Sequence, residues 1–443
     1  MRLNDNSRAA RSVVDAGIPE LAKKLSNKTF AQLEREGIFV FPEGAQDTED
    51  LDKDQMVLQA VNDEYCTGNV MGFLGCGKER LVIASRFATA DQDYFLQYMM
   101  DRVLACPNVF DLETDANEKN QMLNILMFVF PLYLKTALRK GLFKNYIHKK
   151  YNDSNPKGSI NVARHIRQNT PFMGKIAYDQ REQSYDNHIT ELIRHTIEFI
   201  KTKPGGSLLL ARAKDEVDRI VEATPRYKLQ DRQKVLHENK KHILRHAYFQ
   251  EYRALQRLCV LILQNQKQEL GFGMTRMYGV LFDGAWLWEE YVASLVSDRF
   301  YHPMNKAGKA AQHLFFDGKG NKGRIYPDFI GKDPKNRIIA DAKYKRMSNI
   351  GNPDYFQVLA YMFRFDAKKG LYFYPEKDAA ASLHLRLNQG TTFEKGAETA
   401  REDICLIKHG LKIPQNAENY RDFCEKIRIA EADFKQAVLD CGK

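Results

Sequence analysis

The sequence predicts a multidomain α+β chain: a β-rich N-terminal module, a helical middle and a C-terminal region where strands and helices alternate. Its 443 residues suffice for two or three domains. Short strand-like runs lie near the start, apolar residues recur at helical spacing through the middle, and both patterns mix towards the end. The expected boundaries are 1–90, 91–266 and 267–443. Hydrophobic residues make up 44% and aromatics 11%, which allows a sizeable packed core and argues against wholesale disorder.

In the first segment GIFVFP (37–42) and RLVIASRF (80–87) read as strands, separated by a polar stretch at 44–55. In the second, DYFLQYMMDRVL, LIRHTIEFI and AYFQEYRALQRLCVLIL carry apolar residues at three- and four-residue spacing. The run from Ile125 to Leu134 is the most apolar, but it spans ten residues and contains Pro131. A bilayer crossing takes about 20 residues, so this is a core helix. The stretch 134–151 (LKTALRKGLFKNYIHKKY) reads as one amphipathic helix with six basic side chains, facing phosphate, a partner or simply solvent. In the third segment 284–298 reads as a helix and QHLFF (312–316) as a strand closed by the turn DGKGNKG. RIYPDFIG (324–331) and RIIADAKYK (337–345) read as two strands joined by DPKN, followed by a helix over 354–365 and a strand over 370–375.

Charge and thiols narrow the class. There are 67 Lys+Arg against 57 Asp+Glu, a formal +10, and such an excess suits a polyanionic partner. Seven cysteines stand at 66, 76, 106, 259, 405, 424 and 441 without any CxxC pair. Neither a disulfide framework nor a zinc knuckle is indicated, and reduced thiols are expected. MRLNDNSRAARS lacks the apolar stretch of a secretory signal, so a soluble, cytoplasmic protein with no membrane association is expected.

Two motifs fail on chemistry. Gly72 to Lys78 (GFLGCGK) has the glycine and lysine spacing of a phosphate-binding loop, but Glu79 stands where a Ser or Thr must hold Mg²⁺. A Gly-rich hairpin is expected instead, and no nucleotide bound by this chain. His242 and His246 would share one face of a helix, but Ile243 occupies the position of a zinc protease's general base, which leaves surface or capping histidines.

The pair of strands at 324–345 is different in kind. Side chains alternate faces along a strand, so Asp341 and Lys343 share one face while Ala340, Ala342 and Tyr344 share the other. A short turn can bring Asp328 beside Asp341. Two carboxylates and an ammonium would then converge on a sheet with apolar flanks (Ile325, Phe329, Ile338, Ile339). Phosphodiester hydrolysis needs such a set. Carboxylate oxygens bind Mg²⁺, which keeps several waters and meets the substrate phosphate. Lys343 can position the attacking water or help deprotonate it, and can offset charge in the transition state. The backbone carbonyl of Ala342 is a natural further metal ligand. The plainer alternative is an exposed Asp341–Lys343 ion pair on an edge strand.

Pro327-Asp328 followed by Asp341-Ala342-Lys343 resembles the PD-(D/E)xK nuclease superfamily. The resemblance implies a core of mixed sheet flanked by helices, with Mg²⁺ as cofactor and Mn²⁺ as a substitute. It also implies a Glu from the preceding helix, for which Glu289 is favoured over Glu290 because it directly follows Trp286-Leu287-Trp288. Gln357 and Tyr361 resemble the QxxxY element that supports the site in several branches; the alternative is a packing Tyr with a solvent-facing Gln. Residues 157–200, including Lys157 to Ile160 (KGSI), resemble the central segment of McrC-type proteins, the nuclease subunits of McrBC-like restriction systems. That likeness implies double-stranded DNA as substrate and a McrB-like AAA+ GTPase as the nucleotide-binding partner. It also implies a helical partner-docking region over 91–266. A double-strand break needs two sites or two visits, so a nuclease-domain dimer is compatible.

Two alternatives belong to other classes. One is a non-cutting accessory subunit that stimulates the AAA+ GTPase; the other is a stand-alone RecB-like repair nuclease, prompted by the QVLAY stretch. A further cluster, Tyr178, Arg181, Tyr185, Asn187 and His188, reads as a hydrogen-bonded core network in preference to a partner-contact surface.

Overall fold

The computed structural model describes residues 1–41, 55–88, 93–103, 118–265, 277–303, 311–377, 382–391, 393 and 399–441. Most of the polar stretch 44–55 and Cys106 lie outside them. The chain divides into two compact units, Met1–Ala116 with Gly273–Lys443, and Asn117–Phe272. Both mix helices with sheet, so the α+β class holds. No described helix is long and apolar enough to cross a membrane.

The first unit contains two larger sheets. One is mixed, in the order Arg2–Asn4, Glu79–Ala84, Val70–Cys76, Tyr278–Asp283, Phe39–Phe41. Its strand Tyr278–Asp283 comes from beyond residue 267 yet pairs antiparallel with Val70–Cys76 and parallel with Phe39–Phe41. Helices Arg11–Gly17, Pro19–Leu25 and Phe30–Glu36 supply Val14, Leu21, Leu25 and Leu33 to its core, against Leu74, Leu81 and Ile83. The third helix is set by a Thr29–Gln32 capping box and stopped by Gly37 at φ 101°.

GFLGCGK is a hairpin, as its chemistry required: Cys76 lies opposite Glu79 across a turn with Gly77 at φ 57°. Glu79 accepts from the Glu20 and Leu21 amides (3.2 and 2.7 Å), so its carboxylate caps the helix Pro19–Leu25. Gly72 has φ 133°, and a Cβ there would stand 2.2 Å from the Val280 carbonyl oxygen. Gly72→Ala is therefore expected to cost about 2–3 kcal/mol, read as a lower denaturation midpoint at unchanged m-value.

The second larger sheet runs Phe300–Tyr301, Phe329–Gly331, Ile338–Ala342, Lys369–Glu376, Thr399–Lys412, Leu383–Gln389. Ile338–Ala342 is interior, antiparallel to Phe329–Gly331 and parallel to Lys369–Glu376. The helix Asn352–Arg364 makes the connection that two parallel neighbours require. Helix Gly284–Val296 is fixed to this sheet by Trp288, whose buried indole donates to Phe373 O (3.1 Å). Tyr98 and Tyr291 both donate to the buried carboxylate of Glu431 (2.9 and 2.7 Å), which ties helices Tyr94–Val103 and Gly284–Val296 to Tyr420–Asp440.

The second unit departs from an all-helical expectation. The apolar run at 125–134 lies in helix Glu118–Leu138 and is buried except at Leu132. The helix ends there, however, and the basic stretch continues as a strand, Asn145–Asp153. Gly141 at φ 92° makes the break. This strand pairs along its whole length with Ile176–Ser184, which also holds the short Ser159–Ile160. A Cβ on Gly158 would stand 2.3 Å from Asp179 O, which accounts for glycine in the KGSI turn. The polar-aromatic cluster divides. Tyr178 is buried with its hydroxyl on Asp153 (3.0 Å). Asn187 caps helix His188–Lys201 and donates to Phe143 O, while Arg181 and Tyr185 are exposed. His242 caps the C-terminus of Arg232–Lys241 and His246 lies beyond it, so the two do not share a helix face.

Candidate active site

The strand Ile338–Ala342 is apolar up to Ala340 and then presents Asp341, fully buried, at an interior position of the sheet. That location rules out an exposed pair on an edge strand. Lys343 Nζ lies 2.7 Å from Asp341 Oδ2. Neither carboxylate oxygen of Asp341 receives a well-aligned hydrogen bond. A buried, incompletely satisfied anion is costly, and it calls for more positive charge than one ammonium off the hydrogen-bond axis.

Asp328 precedes the strand Phe329–Gly331, and the antiparallel pairing Phe329↔Ala340 carries it to the end of the Asp341 strand. Its Oδ2 accepts from the Ala342 amide at 2.8 Å. Burial, then the charges of Glu289 and Asp341, push the Asp328 carboxyl well above its ordinary value. Burial raises Asp341 as well, against the pull of Lys343. Burial disfavours the Lys343 ammonium, but Asp341 and Asp328 outweigh it and hold the lysine above its ordinary range.

The helix Gly284–Val296 starts at Asp283, whose side chain caps Trp286 N (2.9 Å), and it brings both glutamates towards this end of the sheet. Glu289 is the one whose charge bears on Asp328. Glu290 accepts from Trp286 Nε1 (3.2 Å). His302 joins them: Nδ1 meets Asp328 O at 2.9 Å, and Nε2 lies 3.8 and 3.9 Å from Glu289 and Glu290. On the other side Lys343 donates to Gln357 Oε1 (3.1 Å), and Gln357 donates to Tyr361 OH (2.8 Å). Both belong to helix Asn352–Arg364, where a four-residue spacing stacks them on one face. Asp354 accepts from Lys345 (2.9 and 2.7 Å) and lies 3.9 Å from Lys343.

All eight positions singled out in the sequence thus meet at one end of one sheet. His302, Asp354 and Lys345 join them without having been anticipated. Only Lys345 carried a signal, continuing the Asp341–Lys343 alternation. Tyr344 faces away, bonded to Ser85 Oγ (2.6 Å).

A hard divalent cation fits this donor set. Among the described residues no three His, Cys, Asp or Glu side chains are gathered closely enough to form a metal cage by themselves. Asp341 and Asp328 nevertheless offer carboxylates whose buried charge a cation relieves. Mg²⁺ commonly takes one or two carboxylates and keeps several waters.

Among solved structures, a chain of a half-complex from a tetradecameric assembly of Thermococcus gammatolerans McrB AAA+ hexamers with bound McrC is similar. The identity is 12% over 97% of this chain and 99% of that one, with a TM-score of 0.45. A chain of the Thermococcus gammatolerans McrBC complex matches at 12% identity over 67% of this chain and 87% of that one, with a TM-score of 0.30. No curated protein matches the chain. A family described as McrBC 5-methylcytosine restriction system component matches residues 66–375. The match covers well over half of the 443 residues, from the N-terminal sheet through the Asp341 strand, and the protein belongs to that family.

Proposed function

We propose that the chain is the DNA-cutting subunit of its restriction system, a Mg²⁺-dependent endonuclease of the PD-(D/E)xK type. It would act on double-stranded DNA delivered by a McrB-like AAA+ GTPase. The observation that carries this reading is the buried Asp341 carboxylate, whose Oδ2 meets the Lys343 ammonium (2.7 Å) while Oδ1 has no hydrogen-bond partner, with Asp328 beside the same strand end.

Asp328 and Asp341 would hold the metal through carboxylate oxygens. In the parallel register Lys343 N donates to Phe373 O, so the Ala342 peptide groups face the opposite side, where its N–H meets Asp328. The Ala342 carbonyl shares that side and is a third oxygen donor. When bound, the metal acidifies a water and draws charge from the scissile phosphate. Lys343 keeps its proton beside two carboxylates and offsets charge on the phosphate, held in place by Gln357. Tyr361 in turn orients Gln357. The charge of Glu289 bears on Asp328, and a carboxylate so near can orient the attacking water.

Plasmid cleavage tests the proposal. Wild type and Asp341→Ala are compared in Mg²⁺, with and without GTP and a McrB-like AAA+ partner from the same genome. Cutting that requires motor, GTP and Asp341 is the expected result. Cutting without the motor would instead mark a stand-alone nuclease. GTPase stimulation with no cutting in Mg²⁺ or Mn²⁺ would mark an accessory subunit.

A further inference from the structure

One element beside the site has no role in the chemistry above. Gln312–Phe316 and Asn321–Ile325 form a two-stranded antiparallel sheet that joins neither larger sheet. Its pairing sets Phe315 opposite Lys322 and His313 opposite Arg324, so these four share one face. The other face is anchored: Ile325 is part of the core that holds Ile339, Val358 and Tyr361, and Leu314 packs against it. Arg364 Nε donates to His313 O (2.6 Å) and clamps the hairpin to helix Asn352–Arg364.

The free end is rigid and chemically mixed. Asp317 Oδ1 accepts from the Lys319 and Gly320 amides (2.9 and 2.8 Å), with Gly318 at φ 85°, which fixes a tight turn. Beside that turn two adjacent phenylalanines stand in solvent, Phe315 67% and Phe316 70% exposed. Consecutive strand residues alternate faces, so Phe315 stands on the face of Lys322 and Arg324 and Phe316 on the opposite one. Between Gln312 and Ile325 the hairpin carries three exposed cations, Lys319, Lys322 and Arg324, and one carboxylate, Asp317. Lys322 lies 3.5 Å from that carboxylate but remains 65% exposed. Three residues after Ile325 the chain reaches Asp328.

From this juxtaposition we propose that the hairpin grips duplex DNA and seats it against the Asp328–Asp341 site. Lys319, Lys322 and Arg324 meet phosphates, and Phe315, on the same face as Lys322 and Arg324, presses on a base step. Cations match the polyanion, a two-stranded ribbon has the width of a DNA groove, and apolar wedges are what unstacks a base step. This assignment rests on the nuclease reading for the identity of the polyanion.

The test is binding of a short fluorescent duplex by the full chain without divalent metal, so that cleavage plays no part. Lys322→Ala with Arg324→Ala is expected to weaken binding about tenfold and to reduce the log–log salt slope by about 2. Phe315→Ala is expected to weaken binding by a similar factor at unchanged slope, and Phe316→Ala to leave it unchanged. Phe315→Ala should also abolish the fluorescence rise of a 2-aminopurine in the duplex. All these side chains are exposed, so melting temperatures should match wild type. Lys322/Arg324 or Phe315 variants that bind DNA like wild type overturn the proposal, as does a wild-type chain that binds no duplex. Retained DNA binding with lost GTPase stimulation of the AAA+ partner also overturns it and makes the hairpin a protein interface. If the expected binding losses occur but no metal supports cutting, the nuclease reading fails and the hairpin assignment stands.

Discussion

Lys343→Ala is expected to lower the rate of DNA cleavage by about 10²–10³-fold while leaving stimulation of the AAA+ GTPase intact. Lys343 brings its ammonium to 2.7 Å from Asp341 Oδ2, and Gln357 accepts from it on the other side. Removing it takes away the charge that offsets the phosphate, while the Asp328 and Asp341 side chains remain to hold a metal. Lys343→Arg should restore little, because a planar guanidinium cannot take the place of a compact ammonium between Asp341 and Gln357. Gln357→Ala should show an intermediate loss, since the ammonium remains but loses its hydrogen-bond partner. The measurement is single-turnover plasmid cleavage beside GTP hydrolysis on the same preparations. Full cleavage by Lys343→Ala would remove Lys343 from the chemistry. Loss of both activities in a folded variant would mean that the assignment of cutting and stimulation to separate parts of the chain is wrong.

The site was readable in the sequence because its chemistry is written locally. Asp341 and Lys343 sit two apart in one strand, Gln357 and Tyr361 four apart in one helix, and each period places side chains on a common face. Asp328 needed only the short turn at 333–336 to reach them. His302 could not be read this way. It lies 26 residues before Asp328 and reaches it through strand pairing of Phe300–Tyr301 with Ile330 and Gly331. No local pattern distinguishes it from a surface histidine. Lys345 and Asp354 pair with each other only because the chain bends between strand and helix.

The fold was legible where one face of an element is apolar and hidden where both faces are mixed. Helices such as His188–Lys201 show their buried stripe plainly. The strand Asn145–Asp153 does not: its half-buried row is Asn145, Ile147, Lys149, Tyr151 and Asp153, and its exposed row includes Tyr146. Neither row carries the alternation that marks a strand, and its lysines suit a helix surface equally well. Pairing with Ile176–Ser184 decides the matter, through contacts no short window contains. The strand Tyr278–Asp283 is a similar case. It is wholly buried and reads as apolar, but nothing in it says that its partners are Val70–Cys76 and Phe39–Phe41.

In chelator at pH 7.5, Asp328→Asn is expected to melt a few degrees higher than wild type, and Mg²⁺ is expected to raise the wild-type melting point but not that of the variant. Asp328 and Asp341 both have folded-state values raised above the ordinary 3.8, by burial first and, at Asp328, by neighbouring carboxylates. A group raised in this way favours the folded state while protonated, fully so below its unfolded value, and that contribution is lost as pH rises through the folded value. Wild type in chelator should therefore gain stability on mild acidification from neutrality, the reverse of a salt-bridged carboxylate. A tenfold change in a carboxyl's proton affinity between the unfolded and folded chain is worth about 1.4 kcal/mol, or roughly 3–5 °C in a domain of ordinary size. Asparagine keeps the oxygen that accepts from Ala342 N and removes the charge facing Glu289 and Asp341. A divalent ion relieves the same repulsion by binding, which adds about 2.7 kcal/mol at a hundred times its dissociation constant. Differential scanning fluorimetry at pH 5.5 and 7.5, with chelator and with Mg²⁺, reads both effects. A variant less stable than wild type in chelator, or one that Mg²⁺ stabilises as strongly as wild type, would mean that Asp328 is not part of a repulsive carboxylate cluster awaiting a cation.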